Sequence, residues 1–494
     1  MKKTQFIVFA LATALIFTVL FYKKSTGINL LLFELILIPV MIFLSRPVKF
    51  NFFTVLLLIS TATTAIFTML TGTLWVIFVN FICLFSLAAA FNFQGSRSFL
   101  HLGIETIIRS FTSQVRVFQP WKEDSGSNRW SMRKLLYFVI LPVIILLIFF
   151  FLYITSSSAF YNAFVPFFQF LSKLNISLIL FFILGIIVAN ALIAKTKPTS
   201  IYQNDISSSD NLIRQRKKYL YPFKKDGISV QNKTGIILLS LLNVLILVFN
   251  CVDITTIWFG FSWEGDMLKE FVHQGTWVLV FSVIISAAIA LYFFNGNLNF
   301  FSKNKPLKIL TITWILQNLV MMISVIIRNY WYINYFGLAY KRIAVIFFLI
   351  LVAFGLLTII WKIVKVKSSY FLLRVNGISL LLALVISSLF NWDVLIAKYN
   401  FNHYNRSFIE YRFMAQLNDA SLPFTVKSLD ELQKIDEVQQ KNMPFDTQQA
   451  YYWDYTKYYE VIKIRENAFL QKQKNKSFLE WNLADYRAYK KLKE

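Results

Sequence analysis

Eleven apolar runs, each close to the length of a bilayer crossing, constrain this chain more than any other feature. They occupy 6–22, 28–45, 52–70, 74–91, 135–153, 176–194, 234–252, 276–294, 309–327, 343–363 and 370–390. A helix needs about 20 apolar residues to cross the hydrocarbon of a membrane. In that medium every backbone N–H and C=O must be satisfied within the segment, which leaves helices as the answer for single runs of this kind. The fold class expected is therefore an all-α polytopic membrane protein, with about 11 transmembrane helices and a helical extracytoplasmic C-terminal tail. The first run follows Lys2-Lys3 and could pass for a signal peptide. No small-residue cleavage site stands out and further runs follow, so it reads as a retained anchor.

The runs divide the chain into four N-terminal spans (1–91), a basic amphipathic loop (92–134), two spans (135–194) and a second basic loop (195–233). Five more spans (234–390) precede the tail (391–494). The formal net charge of +25 would suit a nucleic-acid binder, but its distribution argues otherwise. From Asn391 onward 16 Lys and Arg face 14 Asp and Glu, while the first 390 residues hold 34 basic and 11 acidic residues, nearly all in connectors. No basic stripe forms a groove-binding face, so nucleic acid is excluded as a partner and the lipid bilayer takes its place. With the N-terminus inside, the inner segments hold 27 basic residues and the outer loops seven: Lys23, Lys24, Lys173, Lys269, Arg328, Lys341 and Arg342. Excess Lys and Arg marks the cytoplasmic side. The expected placement is the bacterial inner membrane, N-terminus cytoplasmic and C-terminus periplasmic.

Residues Ile104 to Phe118 place apolar side chains at 104, 107, 108, 111, 115 and 118 on one helical face. Two placements are open: in the inner interface, or packed under the bundle. Residues 195–233 are Ser-, Asn- and Lys-rich and read as a loose loop near anionic lipid. In the tail, Ser428-Leu-Asp-Glu431 and Ser477-Phe-Leu-Glu480 fit capping boxes, and Ala450 to Lys472 has a helical pattern crowded with Tyr. Such a tail can bury a small core of its own or dock on the bundle.

Chemistry has few footholds. There is no Gly-rich phosphate loop, no His-Glu-x-x-His and no Gly-x-Ser-x-Gly. Cys83 and Cys251 form no metal-ligand spacing, and His101, His273 and His403 are scattered. No catalytic residue, metal or cofactor is expected. The intramembrane polar candidates are Glu34, Gln317, Asn318 and Asn243. Glu34 is a functional candidate because an ionisable group in a membrane is costly to bury. It could instead be hydrated near the interface or paired with Lys23 or Lys24. The amides suit helix–helix hydrogen bonding at least as well as a pathway. The stretch Arg328 to Arg342, RNYWYINYFGLAYKR, reads as an interfacial connector pinned by its rings. An outer-face charge network is expected between Arg328, Lys341 and Arg342 and the acidic loop bearing Glu264, Asp266, Glu270 and His273.

Six motifs, EFVHQGTW, YFFNGNLNFF, WILQN, IRNYWYINYFGLAYKR, YFLLRVNG and NWDVLIAKYN, fall in order between Glu270 and Asn400. In order and spacing they resemble a bacterial family of multi-pass membrane proteins, the domain of unknown function numbered forty-one seventy-three, in its Bacteroidetes branch. The resemblance spans roughly 235–425 and implies membrane location and architecture, with no reaction attached. The first functional reading is a non-enzymatic envelope scaffold, sensor or assembly partner whose tail binds another envelope protein. The alternatives are a transporter or lipid-handling protein, and a membrane enzyme acting on a lipid-linked substrate at the outer face.

Overall fold

The computed structural model describes residues 3–116, 141–173, 175–214, 227–259, 267–294, 296–442 and 453–494. Side chains at 3–4, 115–116, 167–173 and 267–279 are outside the description. Every described apolar run is helical, and no strand occurs among the described residues. The helices are α1 (Lys3–Phe21), α2 (Ile28–Leu44), α3 (Phe52–Thr71), α4 (Leu74–Asn92), α5 (Phe99–Arg116), α6 (Leu141–Ser156), α7 (Ser158–Lys173), α8 (Ile176–Ile193) and α9 (Ser200–Ser207). They continue with α10 (Gly227–Asp253), α11 (Met267–Phe294), α12 (Lys305–Phe336), α13 (Tyr340–Lys365) and α14 (Ser369–Ser388). The chain is thus an all-helical multi-pass membrane protein. Among the described residues seven helices are long and apolar enough to cross a membrane, or eight with the pair α6 and α7. A count of eleven is not confirmed, because α1, α2 and the described part of α11 are shorter. The fifth run differs from a straight span: α6 and α7 meet at 113°. The bend falls at Ser156-Ser157-Ser158, where the Ser157 hydroxyl accepts from Phe160 N at 3.2 Å and starts a new helix.

Two apolar cores share one helix. α1 to α4 and α8 pack around Leu57, Val79, Leu84 and Leu87, and α10 to α13 around Leu239, Phe294, Leu307 and Ile363. α14 gives Leu381 and Val385 to the first and Phe371 and Leu372 to the second. One end of the bundle knits its connectors together: Gln94 Nε2 donates to Ser45 O and Pro47 O, Arg97 N to Asp205, and Leu212 N to Val366 O. The tail covers the other end, where the α1–α2, α3–α4 and α12–α13 turns lie. The expected alternation therefore holds for the connectors these contacts place.

Several local expectations change. α5 packs its charged side on the bundle and turns its apolar stripe outward, as the interface placement allows: Glu105 and Arg109 are buried, while Ile104, Ile107 and Phe111 are 47%, 61% and 74% exposed. The charged face is the packed one because it serves neighbouring helix ends. Glu105 accepts from Thr199 N and Tyr202 N at the start of α9, and Arg109 donates to Leu192 O and Ala194 O at the end of α8. Residues 195–214 are ordered in place of a loose loop; Asp205 accepts from Tyr370 Oη and Arg97 N. The rest of that basic loop, 215–226, lies outside the described residues.

The aromatic stretch is not a loop. α12 runs unbroken for 32 residues, about 48 Å at 1.5 Å per residue, and takes Arg328 through Phe336 with it. No helix breaker precedes Gly337, whose φ of +74° suits glycine alone. Only Gly337-Leu338-Ala339 turns the chain.

The tail both folds and docks. It comprises α15 (Trp392–Asn402), α16 (Tyr411–Met414), α17 (Leu422–Thr425), α18 (Leu429–Asn442), α19 (Tyr455–Lys474) and α20 (Leu483–Lys493). Ile396, Phe401, Met414, Leu422, Leu432, Tyr458 and Phe469 form its core, which also takes Ile343 from α13. Ser428 and Glu431 make the reciprocal capping box, 3.1 and 3.2 Å. Ser477 does not: a single 3-10 turn, Phe478–Glu480, follows it, and Asn482 caps the helix by accepting from Asp485 N. Tyr458 is fully buried and donates to Thr425 O at 2.9 Å. Tyr458→Ala is expected to cost about 3–5 kcal/mol, as for other buried aromatics. Limited proteolysis of the full chain will read this as faster cleavage within 411–474.

Candidate functional site

Two places bring candidate residues together. The first is the tail-side end of α12. Arg328 Nη2 donates to Asp253 Oδ1, with the two side chains 7% and 5% exposed. Asp253 ends α10, and a π-helical turn, Ile254–Trp258, follows it. Trp258 Nε1 donates to Ser324 Oγ at 2.8 Å, locking that turn against α12. Arg342 donates to Phe336 O and Gly337 O, closing the end of α12, and lies 4.2 Å from the Tyr332 ring centroid. Lys341 is exposed. Of the expected acids, Glu264 and Asp266 lie outside the described residues. Glu270 and His273 sit on the backbone of α11 where side chains are not described. Among the described residues, Arg328 meets Asp253.

The Gly337 turn instead binds the tail. Leu338 N donates to Asn400 Oδ1 at 2.6 Å and Asn400 Nδ2 returns a bond to Leu338 O at 3.0 Å. Tyr340 Oη donates to Asp393 Oδ1 at 2.5 Å, and Phe408 N to Tyr335 O at 2.7 Å. On the far side of this end, Ile28 N donates to Trp481 O at 3.0 Å and Ser25 Oγ to Glu480 Oε2 at 2.9 Å. Asn391 Nδ2 donates to Thr71 O at 3.3 Å. The tail is thus fastened to three separate turns of the bundle.

The second place is inside the membrane. Gln317 Nε2 donates to Asn243 Oδ1 at 2.8 Å, Asn250 Nδ2 to Gln317 O at 3.0 Å, and Asn243 Nδ2 to Leu310 O at 3.0 Å. Asn318 Nδ2 donates to Trp314 O in its own helix. These amides tie α10 to α12, as interhelical hydrogen bonding predicts. Glu34 stands apart. It is 2% exposed, and neither carboxyl oxygen has a hydrogen-bond partner among the described residues. Lys24 donates to Val19 O and Lys23 stacks on Tyr22, so neither of the anticipated partners reaches it.

The sequence places Asp253 among the acids of the outer loop without pairing it, and gives Lys362, Glu105 and Arg109 no role as site or packing residues. The signal for Asp253 was present: Leu239, Asn243, Ile246, Asn250 and Asp253 recur at spacings of four and three, one buried face of α10. Lys362 gave no such signal. It is wholly buried and donates to Phe294 O and Lys367 O, neutralising the ends of α11 and α13. Among the described residues no group of three His, Cys, Asp or Glu could hold a metal ion.

A family model described as Domain of unknown function (DUF4153) matches residues 53–427. No curated protein and no solved structure matches the chain. The multi-pass family of unknown function implied by the motifs is shown, over a longer stretch than they cover; its number is forty-one fifty-three in place of forty-one seventy-three.

Proposed function

We propose, from the premise that this chain belongs to the DUF4153 family, that it is a non-enzymatic scaffold of the bacterial inner membrane. It presents its C-terminal helices on the extracytoplasmic side as the docking surface for another envelope protein. The observation that carries this reading is the fastening of the tail to three turns at one end of the bundle by hydrogen bonds to main-chain atoms of each turn. A segment held this way is a fixed platform, and a fixed platform suits recognition because little ordering cost remains at binding. Away from the bundle it shows Ile464, 69% exposed on α19. The test is a photo-crosslinking residue at Ile464 in living cells. One discrete protein adduct is expected. Adducts to lipid alone at this and other exposed α19 positions, or substrate flux by the purified protein in vesicles, would defeat the scaffold reading.

The orientation rests on the seven basic residues of the tail-side loops against the 27 of the segments opposite. Alkaline phosphatase fused after Glu494 is expected to be active. A fluorescent protein that matures only in the cytoplasm should stay dark there; the reverse pattern would invert the topology. A transport reading keeps one specific support, the buried Glu34. Gln317 and Asn243 give it none, since they bind each other across a closed helix interface.

A further inference from the structure

Glu34 lies six residues into α2 and Asn80 six residues into α4, both counted from the tail-side end, so both sit about 9 Å down their helices. Around them the hydroxyl and amide donors are already engaged. Thr61 Oγ1 donates to Leu57 O at 2.8 Å, Thr64 Oγ1 to Ser60 O at 2.9 Å, and Thr68 Oγ1 to Thr64 O at 2.9 Å. Asn80 Nδ2 donates to Thr61 O and Thr64 Oγ1. What remains is a surplus of acceptors: Asn80 Oδ1 and both oxygens of Glu34, all buried and without a partner among the described residues. An ionised carboxylate only accepts, whereas the neutral acid has one O–H to give. A lone buried charge is also among the costliest things a fold can contain, and such a group neutralises instead.

We propose that Glu34 is a proton-binding site inside the membrane bundle, its bound proton donated to Asn80 Oδ1. The ligand is a proton from the aqueous phase on the tail side. Among the described residues no cation stands in for it. α1, α3, α4, α8 and the Phe478–Glu480 turn pack on α2. α3 and α8 carry no titratable residue, and α1 carries only Lys3 at its far end. α4 offers the Cys83 thiol, and the turn offers Glu480, held by Ser25 at the start of α2. Lys23 and Lys24 in the preceding connector are turned to Tyr22 and Val19. Releasing the proton leaves a bare carboxylate between α2 and α4, so release requires that interface to admit water. The site therefore couples protonation to helix packing.

Infrared spectroscopy of the full-length protein in lipid, at pH 7, tests this directly. Exposed Asp and Glu, with pKa values of about 4, are ionised there. Wild-type protein is expected to show a protonated-acid C=O band that shifts in D2O. Its absence ends the proposal without any substitution, which guards against a variant that fails to fold. Glu34→Gln, whose amide can still donate to Asn80, should remove that band and leave the carboxylate bands unchanged. Loss of carboxylate intensity in its place overturns the assignment. Asn80→Ala should move the same band to higher frequency as the acceptor disappears; an unmoved band overturns Asn80 as the acceptor.

Discussion

Arg328→Met will destabilise the protein by about 3–5 kcal/mol, the usual cost of removing one partner of a buried ion pair. The cost arises because Asp253, 5% exposed, is left charged with no counterion where water cannot reach it. The paired variant Arg328→Met with Asp253→Leu should return to within about 1 kcal/mol of wild type, since apolar groups of similar volume replace buried pairs at little cost. Thermal unfolding in a fixed detergent measures both. A single variant within about 1 kcal/mol of wild type would show that the pair is hydrated. Charge exchange follows the same geometry: Arg328→Asp is expected to be partly rescued by Asp253→Arg. Failure of that rescue, with rescue by a change at Glu270, would move the contact to the first turn of α11.

Gly27→Ala and Gly337→Ala should each release the tail, by different routes. At Gly27 φ is −160°, outside the left-handed region, so the case rests on contact alone. Its Cβ, however, would stand 2.5 Å from Trp481 O and 2.6 Å from Glu480 O, main-chain atoms that cannot turn aside. The 478–482 segment must lift away, taking the Ile28 N to Trp481 O bond with it. At Gly337 the φ of +74° adds strain, and the Cβ would meet Asn400 Oδ1 at 2.5 Å, the atom that accepts from Leu338 N. The expected loss there is about 2–4 kcal/mol, strain plus a broken buried contact. Ser25→Cys paired with Glu480→Cys reports on the first site: the disulfide should form in the parent background and fail once Gly27→Ala is added. A disulfide that still forms would mean the tail yields locally. Protease sensitivity of 391–410 reports on the second; unchanged cleavage there would sink it.

The sequence by itself determined the class, the helices and the alternation of turns between the two ends. Apolar runs of about 20 residues admit one backbone solution in hydrocarbon, and Lys and Arg sort to one side of them. It also marked the amides of α10 and α12 as candidates for helix–helix bonding, because an amide on a buried helix face needs a partner. It did not reveal which groups meet across the fold. Arg328 also meets Asp253, because α12 continues to Phe336 and sets Arg328 beside the last turn of α10. α5 looked like a surface helix by its apolar stripe, yet its polar face packs. The ends of α8 and start of α9 supply carbonyls and N–H groups that only Arg109 and Glu105 reach. Lys362 was counted as one more basic residue of the inner end and is instead sealed between two helix termini. Glu34 was legible as a candidate, but its lack of a cation was not. In each case periodicity states which face of a helix is apolar, while the partner of a polar group depends on the depth and packing of another helix far along the chain. Only the tertiary structure sets those.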